Sequence, residues 1–436
     1  MDGATWLAAL VFLPAAGAPL LAHRSFGRFP FWSRVVLSGA AGAALISFSM
    51  TLLALADRAW GVAVVVALAA LLALGLRVLL RGEPATSPPE PARPDTVERV
   101  AGAIACIAVI AALLATLGGA ATSVDLVFFW GAKAQQFAAA RGIDLEFLRN
   151  PAHQYMHPYY PPLVSSVFAF ATMAAGRFVW SAAALTFPLT LAALAAALPG
   201  VLRGMTSARA AAATSALVVA TLACIGSQAD IAGNADMPLY LFETLALALL
   251  LRPDAAGASG ELLAGMLFAA AETAKVEGLP FAVSAAALAL WLRGGTPAER
   301  AKAAVRLLGP TAVALAAWFA FGLSRKLFSE YSEYGRFFDI HLEHAAGIAT
   351  AIVASLAATG RGMAYVIPLL CLVGAGRRGR MAALPLGTAA ALAGFLVFTY
   401  LHSVGGPAQW ISWSAPRVFA PLPVLFALAA ACRREA

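Results

Sequence analysis

The sequence is short of charge: 12% of its 436 residues are Asp, Glu, Lys or Arg, while 61% are hydrophobic. A soluble globular domain has about a quarter charged residues, so this composition excludes an ordinary soluble protein. The mean hydropathy of +0.81 and the long apolar runs are typical of an integral membrane protein. We therefore predict an all-α fold, a polytopic membrane bundle of about 13 transmembrane helices.

Cysteine is also scarce. All four cysteines lie inside apolar runs, without metal-binding spacing: Cys106, Cys224, Cys371 and Cys432. They are predicted to be small core residues and not disulfides or metal ligands. The formal charge of +8 comes mainly from arginines in short connectors between apolar runs. This distribution follows the positive-inside rule, so we expect membrane lipids and no nucleic acid as partners.

A proline-rich segment divides the chain. Residues 81–99, RGEPATSPPEPARPDTVER, form the only plainly solvated linker, and its arginines predict a cytoplasmic position. Residues 1–80 are predicted to form an N-terminal three-helix membrane unit. Residues 100–306 form the membrane core that contains most of the polar candidates, and residues 307–436 supply C-terminal membrane helices and outer loops.

The positions of the arginines also decide two ambiguous stretches. If the segment from Pro161 to Gly176 crossed the membrane, every later arginine cluster would be inverted, so we predict a juxtamembrane helix along the surface. The apolar stretch between Arg252 and Arg293 must enter and leave on the cytoplasmic side. It is predicted to form two short helices with the sequence AKVEG at their apex, inside the membrane.

Residues 123–163 are the one long segment that is neither an apolar span nor a charged connector: SVDLVFFWGAKAQQFAAARGIDLEFLRNPAHQYMHPYYPPL. In a chain this apolar, so many hydrogen-bonding side chains need water or a ligand. If the start of the segment is helical, Asp125 and Lys133 lie about 80° apart on one surface. Such a pair can activate a hydroxyl and hold a phosphate, and a salt bridge at the membrane interface is the open alternative.

Histidines and tyrosines follow in the same segment. His153 and His157 are four residues apart, a metal-ligand spacing on a helix, but Pro151 and Pro158 disfavour a long helix there. Tyr160 and its neighbours are expected to begin the juxtamembrane helix at the lipid headgroups.

Three later residues complete the candidate set. Asp236 precedes Met237-Pro238 at the start of a span, where it can be an N-cap, a catalytic group or both. Lys275 and Glu277 are ionisable residues at membrane depth, where charges are expensive and usually face a cavity. They either pair with each other or bind a lipid phosphate or a sugar. A last outer loop, HSVGGPAQWISWSAPR over residues 402–417, is predicted before the final span.

The order of these features resembles the GT-C superfamily of polytopic membrane glycosyltransferases. The likeness is to the bacterial branch related to protein O-mannosyltransferases and the lipid A aminoarabinose transferase. The family's first-loop acid is matched by Asp125 in VDLVFFWGAKA, and its Tyr-Pro-Pro-Leu segment by Tyr160 to Leu163 in HPYYPPL. Asp236 in NADMP and Lys275 in AKVEG match the later aspartate and the lysine-glycine turn.

The resemblance implies transfer of a sugar from a polyprenyl-phosphate carrier to a glycan, lipid or protein acceptor at the periplasmic face of the bacterial inner membrane. Asp125 would act as general base or metal ligand, with Asp236 as the second catalytic residue. The substrate-binding candidates are Lys133, His157, Tyr160, Lys275 and Glu277. No cofactor is certain, and a divalent metal ion is left open. A transporter or flippase of a lipid-linked saccharide is the rival, and a non-catalytic assembly partner is the third hypothesis.

Overall fold

The computed structural model describes residues 2–81, 83–84, 86, 93–119, 123–226, 233–252, 257–327, 340–358, 361–376, 379–402 and 407–432. Helices dominate these residues, and no strand occurs among them. Eight helical segments in the described chain are long and apolar enough to cross a membrane, or nine if the bent pair α15–α16 below counts as one span. The chain is therefore a helical, multi-pass membrane protein, as its composition predicts.

Described residues 2–80, the N-terminal part, form four α-helices: α1 (Asp2–Ala9), α2 (Phe12–Leu21), α3 (Phe31–Leu55) and α4 (Val62–Val78). Helix α3 packs against α2 and α4, and also against helices of the core. Two described linker residues are likewise attached to the rest of the protein. The hydroxyl of Thr86 donates to the Ser25 carbonyl over 3.0 Å, and Glu83 accepts a hydrogen bond from the Ala258 amide.

The described residues of the core form nine α-helices: α5 (Thr96–Gly119), α6 (Gly131–Ala140), α7 (Leu145–Arg149), α8 (Leu163–Ala175), α9 (Trp180–Leu202), α10 (Ala208–Gly226), α11 (Asp236–Leu250), α12 (Ala258–Ala274) and α13 (Gly278–Arg293). A π-helical turn, Asp125–Trp130, leads directly into α6. Its wider winding changes the angle predicted between Asp125 and Lys133 for a regular α-helix.

In the C-terminal part, the residues that the structure describes form six α-helices: α14 (Pro297–Ser324), α15 (Ala345–Ala357), α16 (Arg361–Gly374), α17 (Ala383–Leu401), α18 (Pro407–Val418) and α19 (Pro421–Ala431). Helix α14 begins with a capping box between Thr296 and Glu299 and with Pro297 in its first turn. The capping box satisfies amide groups that the helix itself leaves unpaired, and proline has no amide hydrogen that would need a partner. Helices α15 and α16 meet at a bend of 93°.

Arg293 and Arg306 form ion pairs at one end of the bundle, which we call the Arg306 end. The buried carboxylate of Glu261, in the first turn of α12, pairs with Arg306 of α14 and with Arg293 at the end of α13. Both ends of the α12–α13 hairpin therefore lie here, as the arginine pattern predicts. The helices are about 25 Å long, which is short of a full hydrocarbon layer.

The apex of the hairpin points towards the start of α11, which we call the Asp236 end. Lys275 has an extended backbone between the two helices, with φ −159° and ψ 145°. Gly278 starts α13 so close to α12 that an added Cβ would lie 2.4 Å from the Ala271 carbonyl carbon. Only glycine allows this approach, so the tight turn that positions Lys275 depends on Gly278.

The predicted juxtamembrane segment Pro161–Gly176 contains helix α8, which packs inside the protein. Helix α8 is not among the candidate spans, but it does not lie on the outside of the bundle. Most of its residues are buried, and it packs against α1, α3 and α6. The local sequence shows only how apolar a segment is. It does not show whether lipid or protein covers the helix, so the burial of α8 could not be predicted.

Two sequence-based expectations are wrong. Residues 407–417 of the predicted last outer loop belong to helix α18, which is continuous with the final candidate span, Trp410–Ala431. The cysteines form no disulfide, but only Cys432 is buried; the other three, Cys106, Cys224 and Cys371, are exposed on the bundle.

Candidate functional site

Asp236 is the first residue of α11, and its side chain is 1% exposed. The residue before it, Ala235, occupies the N-cap position, so Asp236 is not the N-cap that its sequence context suggested. Its negative charge is favoured by the dipole at a helix N-terminus. Because the carboxylate does not cap its own helix, it is available to side chains from other elements.

Lys275 at the hairpin apex provides the nearest partner. Its ammonium group donates to Asp236 Oδ1 over 2.8 Å and lies 3.1 Å from Glu277 Oε1. Only 8% of the lysine side chain is exposed. The predicted pairing of Lys275 with Glu277 is present, but the more buried partner is Asp236, which is remote in sequence.

Arg417 joins Asp125 to this group. Its Nη1 atom lies 2.9 Å from Asp125 Oδ2 and 3.8 Å from Asp236 Oδ2. Five charged side chains thus form a continuous series, Asp125–Arg417–Asp236–Lys275–Glu277, which we call the ion-pair chain. Asp125 is 24% exposed and Asp236 1%, so the chain runs from an accessible acid to a buried one.

Tyrosines fix the segment that supplies Arg417. The hydroxyl of Tyr240 donates to the Arg417 carbonyl over 2.6 Å, and that of Tyr365 donates to the Pro416 carbonyl over 3.0 Å. The hydroxyls of Tyr400 and Ser414 are 2.8 Å apart. Hydrogen bonds from three helices therefore hold the end of α18 in place. Such support keeps a long arginine side chain in one orientation.

A second polar group lies beside the ion-pair chain, and we call it the aromatic cluster: Lys133, His157, Tyr159 and Tyr160. The ammonium of Lys133 is almost fully buried, donates to the His157 carbonyl over 2.7 Å and lies 5.6 Å from the Trp130 ring centroid. The His157 ring stacks on Tyr160 at 4.8 Å, and its Nδ1 is 2.9 Å from the Tyr159 hydroxyl.

Burial determines the electrostatics of this cluster. Desolvation lowers the pKa of Lys133 to about 7. Desolvation, with the positive charges of Lys133 and Lys275, lowers the pKa of His157 to about 4. At neutral pH the histidine is therefore neutral, and the lysine is poised between its two protonation states. The influence of Lys275 on His157 also indicates that the cluster adjoins the ion-pair chain.

The structure thus brings together Asp125, Asp236, Lys275 and Glu277, and groups Lys133, His157 and Tyr160 next to them. It does not join the pair that the sequence suggested, because Asp125 contacts Arg417 and Lys133 contacts a backbone carbonyl. His153 is held separately: its Nδ1 is 2.9 Å from the Phe147 carbonyl, so it shares no described metal site with His157.

Two charged residues of the site were missed from sequence. Arg417 was assigned to a loop, although it is the single Asp, Glu, Lys or Arg between residues 382 and 432. A single charged residue in so apolar a segment indicates a functional role, and this signal could have identified Arg417. Glu243 is 3% exposed on α11 and lines a cavity of about 10 Å³ with Asp236 and Glu277.

A larger cavity of about 380 Å³, which we call the groove, lies between α3, α4, α12 and α14. Its lining is mostly apolar and includes Leu72, Leu76, Met266, Val313 and Trp318. Along α14 it extends from Arg306 to Trp318, about 18 Å at the helical rise.

The groove ends beside the polar groups. Thr273 lines it two residues before Lys275, and Pro162 lines it next to the aromatic cluster. The Trp318 indole donates to the Tyr159 carbonyl over 3.0 Å. One end of the apolar groove therefore lies close in sequence to Lys275 and is in contact, through Trp318, with the aromatic cluster.

Comparison of the chain with protein-family models, with curated proteins and with solved structures found no match. The chemistry of the site therefore rests on its geometry.

Proposed function

We propose that this chain is a membrane glycosyltransferase that moves a sugar from a polyprenyl-phosphate carrier to a cell-envelope acceptor, with inversion at the sugar carbon. The observation that carries the proposal is the ion-pair chain, which has an accessible acid at one end and buried cations behind it. Charges at membrane depth are expensive, and they usually serve a substrate or an ion.

Asp125 acts as the general base in this proposal. Its carboxylate removes the proton of the acceptor hydroxyl, whose oxygen attacks the sugar carbon opposite the phosphate. The bond from that carbon to the phosphate oxygen breaks, and the polyprenyl phosphate leaves with the electron pair. Lys275 and Arg417 neutralise the leaving phosphate, and Lys133 and His157 extend the phosphate- and sugar-binding surface. Asp236 keeps both cations in place.

The metal-ligand alternative for Asp125 has less support. A guanidinium group lies between the carboxylates of Asp125 and Asp236, at 2.9 and 3.8 Å. A metal ion bridging these two acids would have to displace Arg417, so we favour the general-base role.

The groove supports a lipid-linked donor. A flexible isoprenoid chain gains about 25 cal/mol for each Å² of apolar surface that it buries, so an apolar groove is a suitable site for it. With its chain in the groove, the carrier would present its phosphate near Thr273 and Lys275. On this proposal the protein belongs to the bacterial inner membrane, with about 13 spans and a periplasmic site.

The experiment measures sugar transfer in membrane vesicles supplied with a polyprenyl-phosphate sugar and envelope acceptors. Asp125→Asn should lower the rate at least about 100-fold, the usual contribution of general-base catalysis. Asp144→Asn is the matched control, because Asp144 caps α7 by accepting the Phe147 amide, and asparagine caps a helix equally well. Undiminished transfer by Asp125→Asn would contradict the mechanism.

A second arm tests the groove. Ala269→Phe would fill part of it, so the KM for a long-chain carrier should rise, whereas a carrier with one or two isoprene units should be unaffected. Ala103→Phe, on an exposed face of α5, is the control. Equal KM values for both variants with the long-chain carrier would remove the groove from the proposal without affecting the role of Asp125.

A flippase of a lipid-linked saccharide is the second candidate. It is favoured by one observation: the groove extends about 18 Å and has Arg306 at the end away from Lys275. Liposomes containing the purified protein and a fluorescent lipid-linked sugar distinguish the two functions. Movement of the lipid between leaflets, without a glycosylated product, would favour the flippase.

A further inference from the structure

A third polar group lies outside the ion-pair chain and the aromatic cluster, in the short 3₁₀ turn that precedes α15. The turn covers Leu342–His344, with His341 at its N-cap, and the residues of interest are His341, Glu343 and His344. The His341 amide donates to the Leu401 carbonyl over 3.0 Å, which anchors the turn on the end of α17. The group therefore lies on a fixed piece of backbone.

The turn aligns the two histidines. His341 is the N-cap of the turn and His344 is its last residue, three positions later. Their ring centroids are 5.8 Å apart. Glu343 reaches between them, with its Oε1 atom 2.9 Å from His341 Nδ1 and 3.9 Å from His344 Nε2. One ligand atom from each residue lies within 4.8 Å of the other two.

We propose that His341, Glu343 and His344 bind a divalent transition-metal ion of the zinc class. Zinc accepts two histidine nitrogens and one carboxylate oxygen, at bonds of about 2.0–2.2 Å, with water in the fourth position. Ligand atoms around a tetrahedral ion lie about 3.4 Å apart at these bond lengths, which is within the observed spacing. Small rotations of the three side chains bring them to one centre.

Metal binding explains why these three side chains lie together, whereas the stability of an ion pair does not. The side chains are 32%, 64% and 51% exposed for His341, Glu343 and His344, and an ion pair so open to water contributes little stability. The same exposure allows an ion from solution to reach all three donors.

The test uses the full-length protein in detergent, without a polyhistidine tag. After equilibration with Zn²⁺ and removal of free ions, the wild-type protein should retain one ion. Co²⁺ should give the strong visible absorption of tetrahedral coordination. His344→Ala and Glu343→Gln should each weaken Zn²⁺ binding at least about 100-fold, the upper range of losses for residues that only support ligands.

His153→Ala is the control, because His153 lies in another segment and contacts the Phe147 carbonyl. It should retain the ion with unchanged affinity. Failure of the wild-type protein to retain Zn²⁺, or equal affinity in wild type and His344→Ala, would overturn the proposal. If His344→Ala fails to fold, Glu343→Gln, an exposed and nearly isosteric change, gives the same comparison. None of these readouts depends on sugar transfer.

Discussion

Replacement of Lys275 by methionine should lower the free energy of unfolding by about 3–5 kcal/mol, the usual cost of removing one partner from a buried ion pair. Methionine matches the length of lysine and removes only the charged end. The variant therefore tests whether the centre of the ion-pair chain is as desolvated as its geometry indicates. The prediction concerns stability, so it holds whether or not the protein transfers a sugar.

The size of the expected loss of stability follows from the contacts that Asp236 and Glu277 keep when Lys275 is replaced. Asp236 is 1% exposed, and without Lys275 its nearest described cation is Arg417 at 3.8 Å, beyond hydrogen-bonding distance. Glu277 is 20% exposed and keeps contact with water. Nearly all of the loss thus arises at Asp236. A pair open to solvent would contribute only about 0–1 kcal/mol.

The assay is equilibrium unfolding in mixed micelles, followed by tryptophan fluorescence. Lys302→Met is the matched control, because Lys302 is exposed on α14, and its replacement should change stability by about 0.5 kcal/mol or less. The double variant Lys275→Met with Asp236→Asn should recover about 1–3 kcal/mol relative to the sum of the single changes, since no buried carboxylate is then left unpaired. If Lys275→Met costs no more than Lys302→Met, the description of the ion-pair chain as buried is refuted.

Two further predictions concern the aromatic cluster and the packing of the bundle. Because the pKa of Lys133 is about 7 when folded and higher when unfolded, the unfolded chain binds one more proton above pH 7. Stability should therefore rise with pH between about 7 and 10, by up to about 1.4 kcal/mol per unit, and Lys133→Met should abolish that rise in pH-dependent unfolding. Equal slopes in both proteins would contradict the burial of Lys133. An added Cβ at Gly265 would lie 2.2 Å from the Arg306 carbonyl oxygen, so Gly265→Ala should cost about 1–3 kcal/mol. Gly102→Ala, where a Cβ meets nothing within 4 Å, is the control in the same unfolding assay, and equal stability of the two variants would refute the close contact of α12 and α14.

Some features of the site follow from local sequence. The AKVEG apex could be predicted, because Arg252 and Arg293 place both ends of the apolar stretch on the same side of the membrane, so the stretch must turn back near its middle. The structure has this turn between α12 and α13. Asp236 could likewise be assigned to the start of a helix from the proline two residues later.

Other features depend on contacts between remote segments. Arg417 and Asp125 are 292 residues apart, and no local pattern indicates that they meet. The burial of α8 could not be predicted from local sequence either, because an apolar helix has the same sequence pattern whether lipid or protein covers it. Lys133 appeared to be a partner for Asp125, but the fold buries its ammonium group against the His157 carbonyl.

By itself, the sequence determined that this protein is helical and that it crosses a membrane several times. Both properties follow from the length and hydrophobicity of continuous segments, because every backbone polar group in lipid must be satisfied within its own helix. Only the tertiary structure decided which charges neutralise one another. In an apolar surrounding each charge needs a partner within a few ångströms, and helix packing alone brings Asp125, Arg417, Asp236 and Lys275 to that distance.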